Sequence, residues 1–523
     1  MKHSLSFIFL LFGLSFHTFS LAQSTIVDTI SIITFNDFHG AFVKEQDVPG
    51  AGVFVQTVLN EKQKHPNTIV VSAGDNFSGS YFSRITRGEP LPELFKIIGV
   101  EMSAVGNHEF DWGLSFLKDS TTSYIDYIAA NITTNGINNP EWLKPYKIIE
   151  RKLKNGATIR IAFIGLTTTE TPKKSNPENM IGLEFGHPLG AASVQTLYEL
   201  KKEGVIDMII LLTHIGTDMT DPDRITEADA KILPYMNQIN AIITGHSHKI
   251  VLDKINNTPI IQAGTNGTHI GKLLFQVREN NGRVDVSFIQ GDTIRASGKE
   301  NPEIVQVVNK YITTNDFDKK LTSAKNNLIH DRNKNKFSYT SVGAYVTASY
   351  VHCFENMNVN DSLKQLPIIG VNHFGGIRTS IFAGDVTKLQ AGNVLPFGGN
   401  ITAYYFNGKR LKELLSEGRK NKNGYLQTSY LEISLQSDTI TSISYIKDKQ
   451  KIIIDDNTPC IVVLDSFITN GGDGYDESVF SGYEIEAFNM KEYETTSVFI
   501  DYLNNLKSIS NEQAPLPVIR NTQ

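Results

Sequence analysis

Asn36-Asp37-Phe38-His39-Gly40 closes the apolar run Ile30 to Phe35, and four later segments repeat that arrangement. Gly74-Asp75-Asn76 follows Thr68 to Ala73, and Gly106-Asn107-His108-Glu109-Phe110-Asp111 follows Glu101 to Val105. Thr213-His214-Ile215-Gly216 follows Met208 to Leu212, and Gly245-His246-Ser247-His248 follows Ile239 to Thr244. The runs are short and mostly β-branched or apolar, as the buried strands of an α/β sheet are. In open α/β sheets the loops at the carboxyl ends of the strands hold the ligand. A single Asp or His after a strand is ordinarily a cap or a satisfied polar group. Five such loops in order, carrying Asp, His, Asp, Asn, His, His and His, point instead to a dinuclear metal site.

Carboxylate oxygen and imidazole nitrogen together suit zinc, manganese, iron or cobalt. Two such ions ~4 Å apart need a bridging carboxylate and activate a water at neutral pH, which is the equipment of phosphoryl transfer. The only cysteines, Cys353 and Cys460, lie in apolar contexts in the last third of the chain. They are compatible with a disulfide or with two buried thiols, and two residues make no structural zinc site. Glu109 reads as a cap or a support for the ligands. His65, His187, His269, His330 and His352 lack motif partners and read as surface or core histidines.

At 523 residues the chain exceeds one core and predicts about two to four domains. A formal net charge of −6 with no Lys/Arg block excludes a nucleic-acid polymer as partner. Lys2 and His3 precede the apolar run Phe7 to Phe16, and Ser20-Leu21-Ala22 is a small-x-small cleavage site. The run falls short of the ~20 apolar residues that span a bilayer. No Cys lies near the cleavage point and the tail Ala514 to Gln523 is polar, so no membrane anchor is expected once the signal is removed. The expected organisation is a signal peptide over 1–22, a catalytic unit over 23–300, a helical linker over 301–336 and a second unit over 337–523. Pro302 and the spacing of Ile304, Val307, Val308, Tyr311 and Ile312 predict a helix over Asn301 to Leu321. Lys325 to Lys336 has the composition of an exposed connector.

The five motifs resemble those of the calcineurin-type metallophosphatases, and Asn-Asp-x-His-Gly with Gly-Asn-His-Glu-Phe-Asp is the spelling of their 5′-nucleotidase branch. The resemblance runs from about Ile30 to near Tyr475 and includes Asn131-Ile132-Thr133, Ile164-Gly165-Leu166-Thr167 and Leu395-Pro396-Phe397-Gly398-Gly399. It implies an α/β protein: an N-terminal metallophosphatase β-sandwich flanked by helices, a linker helix, and a C-terminal α/β (α+β) substrate-binding domain. It implies two divalent ions, zinc, manganese or similar. Asp37, His39, Asp75 and His248 would hold one, and Asp75, Asn107, His214 and His246 the other. His108 matches a histidine that acts on the transition state or the leaving oxygen, with Asp111 as its orienting partner.

In the second unit the resemblance assigns Phe397 and Phe467 to a clamp on the base, Asp473 to the ribose and Arg378 to the phosphate. The chain departs from the family where Asn usually stands five residues before that arginine: His373 occupies the position, with Asn372 before it and Phe374 in place of a small residue. Arg332 and Lys336 are the near candidates for a second phosphate-binding cation. The family's C-terminal domain rotates, and 301–336 would be the hinge. The expected activity is release of phosphate from nucleoside 5′-monophosphates by an exported enzyme, periplasmic or extracellular. The alternatives on this scaffold are a 2′,3′-cyclic phosphodiesterase/3′-nucleotidase or a pyrophosphatase of UDP-sugars and NAD. Oligomeric state is left open.

Overall fold

A computed structural model describes residues 26–521 except 122, 137, 237, 281–282, 358–359 and 486–492; the expected signal peptide lies outside them. Among the described residues, no helix is long and apolar enough to cross a membrane. The first motif strand, Ile26–Phe35, shows why both of its faces are apolar. Ile30 and Ile32 enter one core, and Ile33 and Phe35 enter another on the opposite face. Alternation with period two sends successive side chains to opposite sides, so burial of both sides reads as a continuous apolar run.

Two six-stranded sheets build the first unit. In one, Ile26–Phe35, Thr68–Ser72 and Val100–Ala104 run parallel at the centre, with His269–Asn280 antiparallel to the first. In the other, Thr158–Thr167, Met208–His214, Ala241–Ile243 and Thr258–Ala263 are parallel neighbours. Ile30, Ile69, Met102 and Phe275 from one sheet pack against Ile161, Phe163, Ile210, Leu212 and Ile261 from the other. Helices Gly50–Lys62 and Leu91–Ile98 cover the outer face of the first sheet. The result is an α/β sandwich flanked by helices, with all five motif loops on one edge.

The helix expected over Asn301 to Leu321 forms over Pro302–Thr314, where the Asn301 side chain accepts from the Ile304 N–H. Its Ile304 and Val308 join the first unit's core. The segment behind it is not the exposed connector that its polarity suggests. Lys320–Ala324 pairs with Gly384–Thr387, Leu328 bridges to Ile381, and Leu328 and His330 are buried. Two buried side chains among polar neighbours anchor this stretch, and composition averages over them.

The second unit is α+β. Ile401–Asn407, Pro459–Asp465, Ile368–Asn372 and Gln427–Thr428 form a mixed sheet, and the helix Ser341–Asn356 is buried against it. A second four-stranded sheet adjoins it. Both cysteines are free, Cys460 buried and Cys353 half-buried. The two units touch through helix Lys388–Val394, whose Leu389 enters the first unit's core. Asn393 Oδ1 accepts from the Tyr81 N–H at 2.8 Å while its Nδ2 donates to Glu45. Arg84 pairs with Glu494 beside them.

Candidate metal centre and substrate cleft

The sandwich edge brings Asp37, Asp75 and Asn107 from one sheet against His214, His246 and His248 from the other. Asp75 Oδ2 lies 3.1 Å from His214 Nε2, and Asp37 Oδ1 lies 3.2 Å from His248 Nε2. His39 Nε2 stands 3.7 Å from Asp37 and 3.9 Å from Asp75. Asn107 Oδ1 meets His246 Nδ1 at 2.9 Å and His214 Nε2 at 3.3 Å. All seven expected ligands therefore share one cluster, with Asp37, His39, Asp75, Asn107 and His214 buried and His246 and His248 at its mouth.

The backbone is bent to allow this. Asp37, His39, Asp75, His246 and His248 all hold positive φ, between 49° and 72°. Such conformations cost of order 1–3 kcal/mol each and persist where the surroundings over-determine them. Glu109 is one of those surroundings: its carboxylate accepts the N–H groups of Asp75 (2.8 Å), Asn76 (2.7 Å) and Gly106 (2.7 Å). It supports the loop as expected and is not turned to the cluster. Gly79 has no side chain because a Cβ there would come within 2.6 Å of His39 Nδ1.

Each imidazole is aimed. His39 Nδ1 pairs with the Ser78 carbonyl and His214 Nδ1 with the Ala73 carbonyl, both at 2.7 Å. That contact fixes the proton on Nδ1 and turns Nε2 inward. His39 Nε2 and His248 Nε2 lie 3.0 Å apart. Burial pushes the His39 pKa down to about 3, with His248 beside it. At His214 burial also opposes charge, but Asp75 and Asp37 push it up to about 10. Asp37 Oδ1 is buried with no hydrogen-bond partner. Ring nitrogens crowded beside an orphaned carboxylate oxygen call for cations, and oxygen–nitrogen donors of this kind fit divalent transition ions. Among the described residues three overlapping groups place their donor atoms within 4.8 Å of one another: Asp37-His39-His248, Asp37-Asp75-His214 and His39-Asp75-His108.

His108 is oriented from two sides. Its N–H donates to Asp75 Oδ1 at 2.8 Å, and its Nδ1 meets Asp111 Oδ2 at 2.7 Å. Ser78 and Ser175 hydroxyls donate to Asp111 at 2.5 and 3.1 Å, a support with no signal in the sequence. Burial disfavours a charged His108, but Asp111 and Asp75 hold its pKa above the ordinary value.

The second unit reaches this centre. The Phe397 ring stacks on His108 at 5.4 Å and 6°, and the Arg378 guanidinium lies 5.1 Å from the Phe397 centroid. Phe467 packs against His373 at 4.5 Å, so in this conformation each expected clamp ring has its own partner. Both rings are half-buried rim residues. Asp473 sits in a left-handed turn (φ 55°), 3.6 Å from where a Cβ on Gly375 would stand. Arg332 lies within electrostatic reach of Arg378, His248 and Asp473. Lys336 Nζ instead rests over the exposed Phe337 ring, at 5.7 Å. Of the two near candidates, Arg332 is the one in the cleft.

Residues 30–250 match the family described as Calcineurin-like phosphoesterase, and residues 320–480 match 5′-nucleotidase, C-terminal domain. The chain belongs to the 5′-nucleotidase family. This family member is 27% identical over 496 residues to a Salmonella typhimurium protein named Silent protein UshA(0), covering 85% of this chain and 86% of the relative. It is 25% identical to a 5′-nucleotidase of Vibrio cholerae, covering 85% of each. Its fold is that of a 5′-nucleotidase precursor from Thermus thermophilus, with a TM-score of 0.73 at 21% identity over 95% of this chain and 100% of that one. As a member of the family, the protein is a metal-dependent phosphoester hydrolase.

Proposed function

We propose that the protein is an exported nucleotidase that releases phosphate from nucleoside 5′-monophosphates at a two-ion centre. The observation that carries this reading is the stack of Phe397 on His108, which joins the clamp of the second unit to the phosphoryl-transfer centre of the first. Asp37, His39, Asp75 and His248 would hold one ion, and Asp75, Asn107, His214 and His246 the other. Bound there, divalent ions neutralise phosphoryl charge and make water a nucleophile near neutral pH. The remaining work falls to side chains. Arg378 and Arg332 hold the substrate phosphate by charge-assisted hydrogen bonds. Phe397 and Phe467 grip the base, and Asp473 accepts from the ribose hydroxyls. His108, whose charged form Asp111 and Asp75 favour against burial, donates to the departing ribose oxygen, so that nucleoside leaves neutral.

Export is inferred from Lys2, the run Phe7 to Phe16 and Ser20-Leu21-Ala22, which also support a mature chain beginning near Gln23. The catalytic unit, helical linker and nucleotide-binding unit then occupy 23–300, 301–336 and 337–523. The deciding experiment follows substrate loss and products by chromatography for AMP, 3′-AMP, cyclic nucleotides, UDP-glucose and NAD with the metal-loaded protein. Highest kcat/KM on AMP supports the nucleotidase; a cyclic nucleotide, UDP-glucose or NAD in first place assigns the scaffold's other activities instead.

A further inference from the structure

His330 is a buried polar group with no part in the mechanism above. It stands two residues before Arg332 in a polar segment, yet only 3% of it is exposed. Its backbone N–H donates to Ser380 Oγ at 2.9 Å, just beyond Arg378. Its ring packs on Phe374 at 4.4 Å and 32°. Its Nδ1 lies 2.9 Å from Thr340 Oγ1, the hydroxyl that accepts the Gly343 N–H at the start of helix Ser341–Asn356. Nε2 is buried too, facing the backbone of Phe374 and Ile377 without reaching hydrogen-bond geometry. One side chain thus touches three segments: the one that carries Arg332, the helix start, and the loop that ends in Arg378.

We infer that His330 is a positioning residue that ties the Arg332 segment to the Phe374–Arg378 loop and thereby sets the spacing of the two guanidinium groups. This rests on the reading of both arginines as phosphate ligands. Nδ1 is paired with Thr340, and a buried imidazole costs more than an apolar side chain of equal volume, so filling space alone does not account for it. The Thr340 hydroxyl is 3.3 Å from Gln427 Oε1 but 2.9 Å from His330 Nδ1, and its single proton serves the nearer atom. A neutral His330 then carries its own proton on Nε2, directed at the loop. Neutrality is enforced: burial, with Arg332 and Arg378 nearby, pushes its pKa down to about 4. The consequence for chemistry is geometric, because small displacements of groups that hold a reacting phosphate lower rates and affinities steeply.

The test uses the full, metal-loaded chain. KM is measured for AMP, and inorganic phosphate is titrated as a competitive inhibitor of aryl phosphate hydrolysis. His330→Phe keeps the packing and removes both nitrogens. It should raise KM for AMP and the phosphate inhibition constant together by roughly tenfold, about one hydrogen bond's worth, with kcat within about twofold. His330→Asn, whose amide reaches the Nδ1 position and can keep the Thr340 contact, should recover most of that affinity, whereas His330→Gln should not. A lower melting temperature with both constants unchanged would make His330 a packing residue and overturn the inference. If H330F does not fold, the pair H330N and H330Q still decides: Asn tighter than Gln for phosphate supports it, and equal values overturn it. Because phosphate inhibition is read on an aryl phosphate, failure of AMP as a substrate sinks the nucleotidase reading without determining this result.

Discussion

Asp75 stands at the middle of the cluster with both of its oxygens engaged. Oδ2 faces His214 at 3.1 Å and His39 at 3.9 Å, while Oδ1 takes the His108 N–H at 2.8 Å. One substitution there should disturb both proposed ion positions and His108 together. Asn107, in contrast, offers one neutral oxygen. Asp75→Asn should therefore lose more bound metal and more activity than Asn107→Ala, as measured by elemental analysis alongside phosphate release. A smaller effect at Asp75 would contradict its bridging place. His108 belongs to one of the metal-capable groups, so its role needs its own test. Read as a proton donor, His108→Ala should lower kcat by ~10²–10⁴-fold while metal content stays as in the parent protein. Loss of an ion in that variant would make His108 a ligand.

The motif loops are legible because each needs a buried strand before it and metal-binding side chains after it, and both requirements leave marks on a short stretch of sequence. Asn36 to Gly40 and Gly245 to His248 show this, and the structure brings all seven candidate ligands into one cluster. What escapes such a reading is set by contacts distant in sequence. Lys325 to Lys336 has a connector's composition, yet pairing of Leu328 with Ile381 and burial of His330 fold it into the second unit and carry Arg332 to the cleft. The hydroxyls of Ser78 and Ser175 that support Asp111 lie 33 and 64 residues from it, and no local pattern announces them. The clamp loops sit between these cases: Gly398, Gly399 and Gly472 mark Phe397 and Phe467 as rim residues, but not which partners they meet. Base stacking on an aromatic is worth ~1–3 kcal/mol. Phe397→Ala or Phe467→Ala should thus lower kcat/KM for AMP by roughly 5- to 150-fold, and Asp473→Ala should penalise AMP selectively. An aryl phosphate offers neither purine nor ribose and should be spared. Equal losses on both substrates would reduce these three to packing residues.

At the scale of the whole molecule, the cleft exists only while the two units are docked, and one side chain, that of Asn393, makes two hydrogen bonds across that contact. Asn393 accepts from the Tyr81 N–H and donates to Glu45, four residues before Phe397, so docking and delivery of the clamp loop are mechanically linked. Glu45 makes the contact sensitive to pH. Burial lifts its pKa from 4.5 to about 7, with the Asn393 hydrogen bond opposing the shift. A carboxyl whose pKa is raised on docking favours the docked state fully below its ordinary value, and the contribution is lost as pH rises through the raised value. The window here runs from about pH 4.5 to about pH 7. Glu45→Gln is neutral at every pH and its amide oxygen can still accept from Asn393 Nδ2, so it removes the titration without removing the contact. Relative to the parent, its melting temperature should be unchanged near pH 4.5 and higher at pH 8, and small-angle scattering at pH 8 should show the more compact particle. The comparison is made between two proteins at each pH, so protonation of the clustered histidines affects both alike and cancels. A difference between parent and variant that stays constant across the window would mean that Glu45 keeps its charge when the units dock, and that the coupling between pH and closure lies elsewhere.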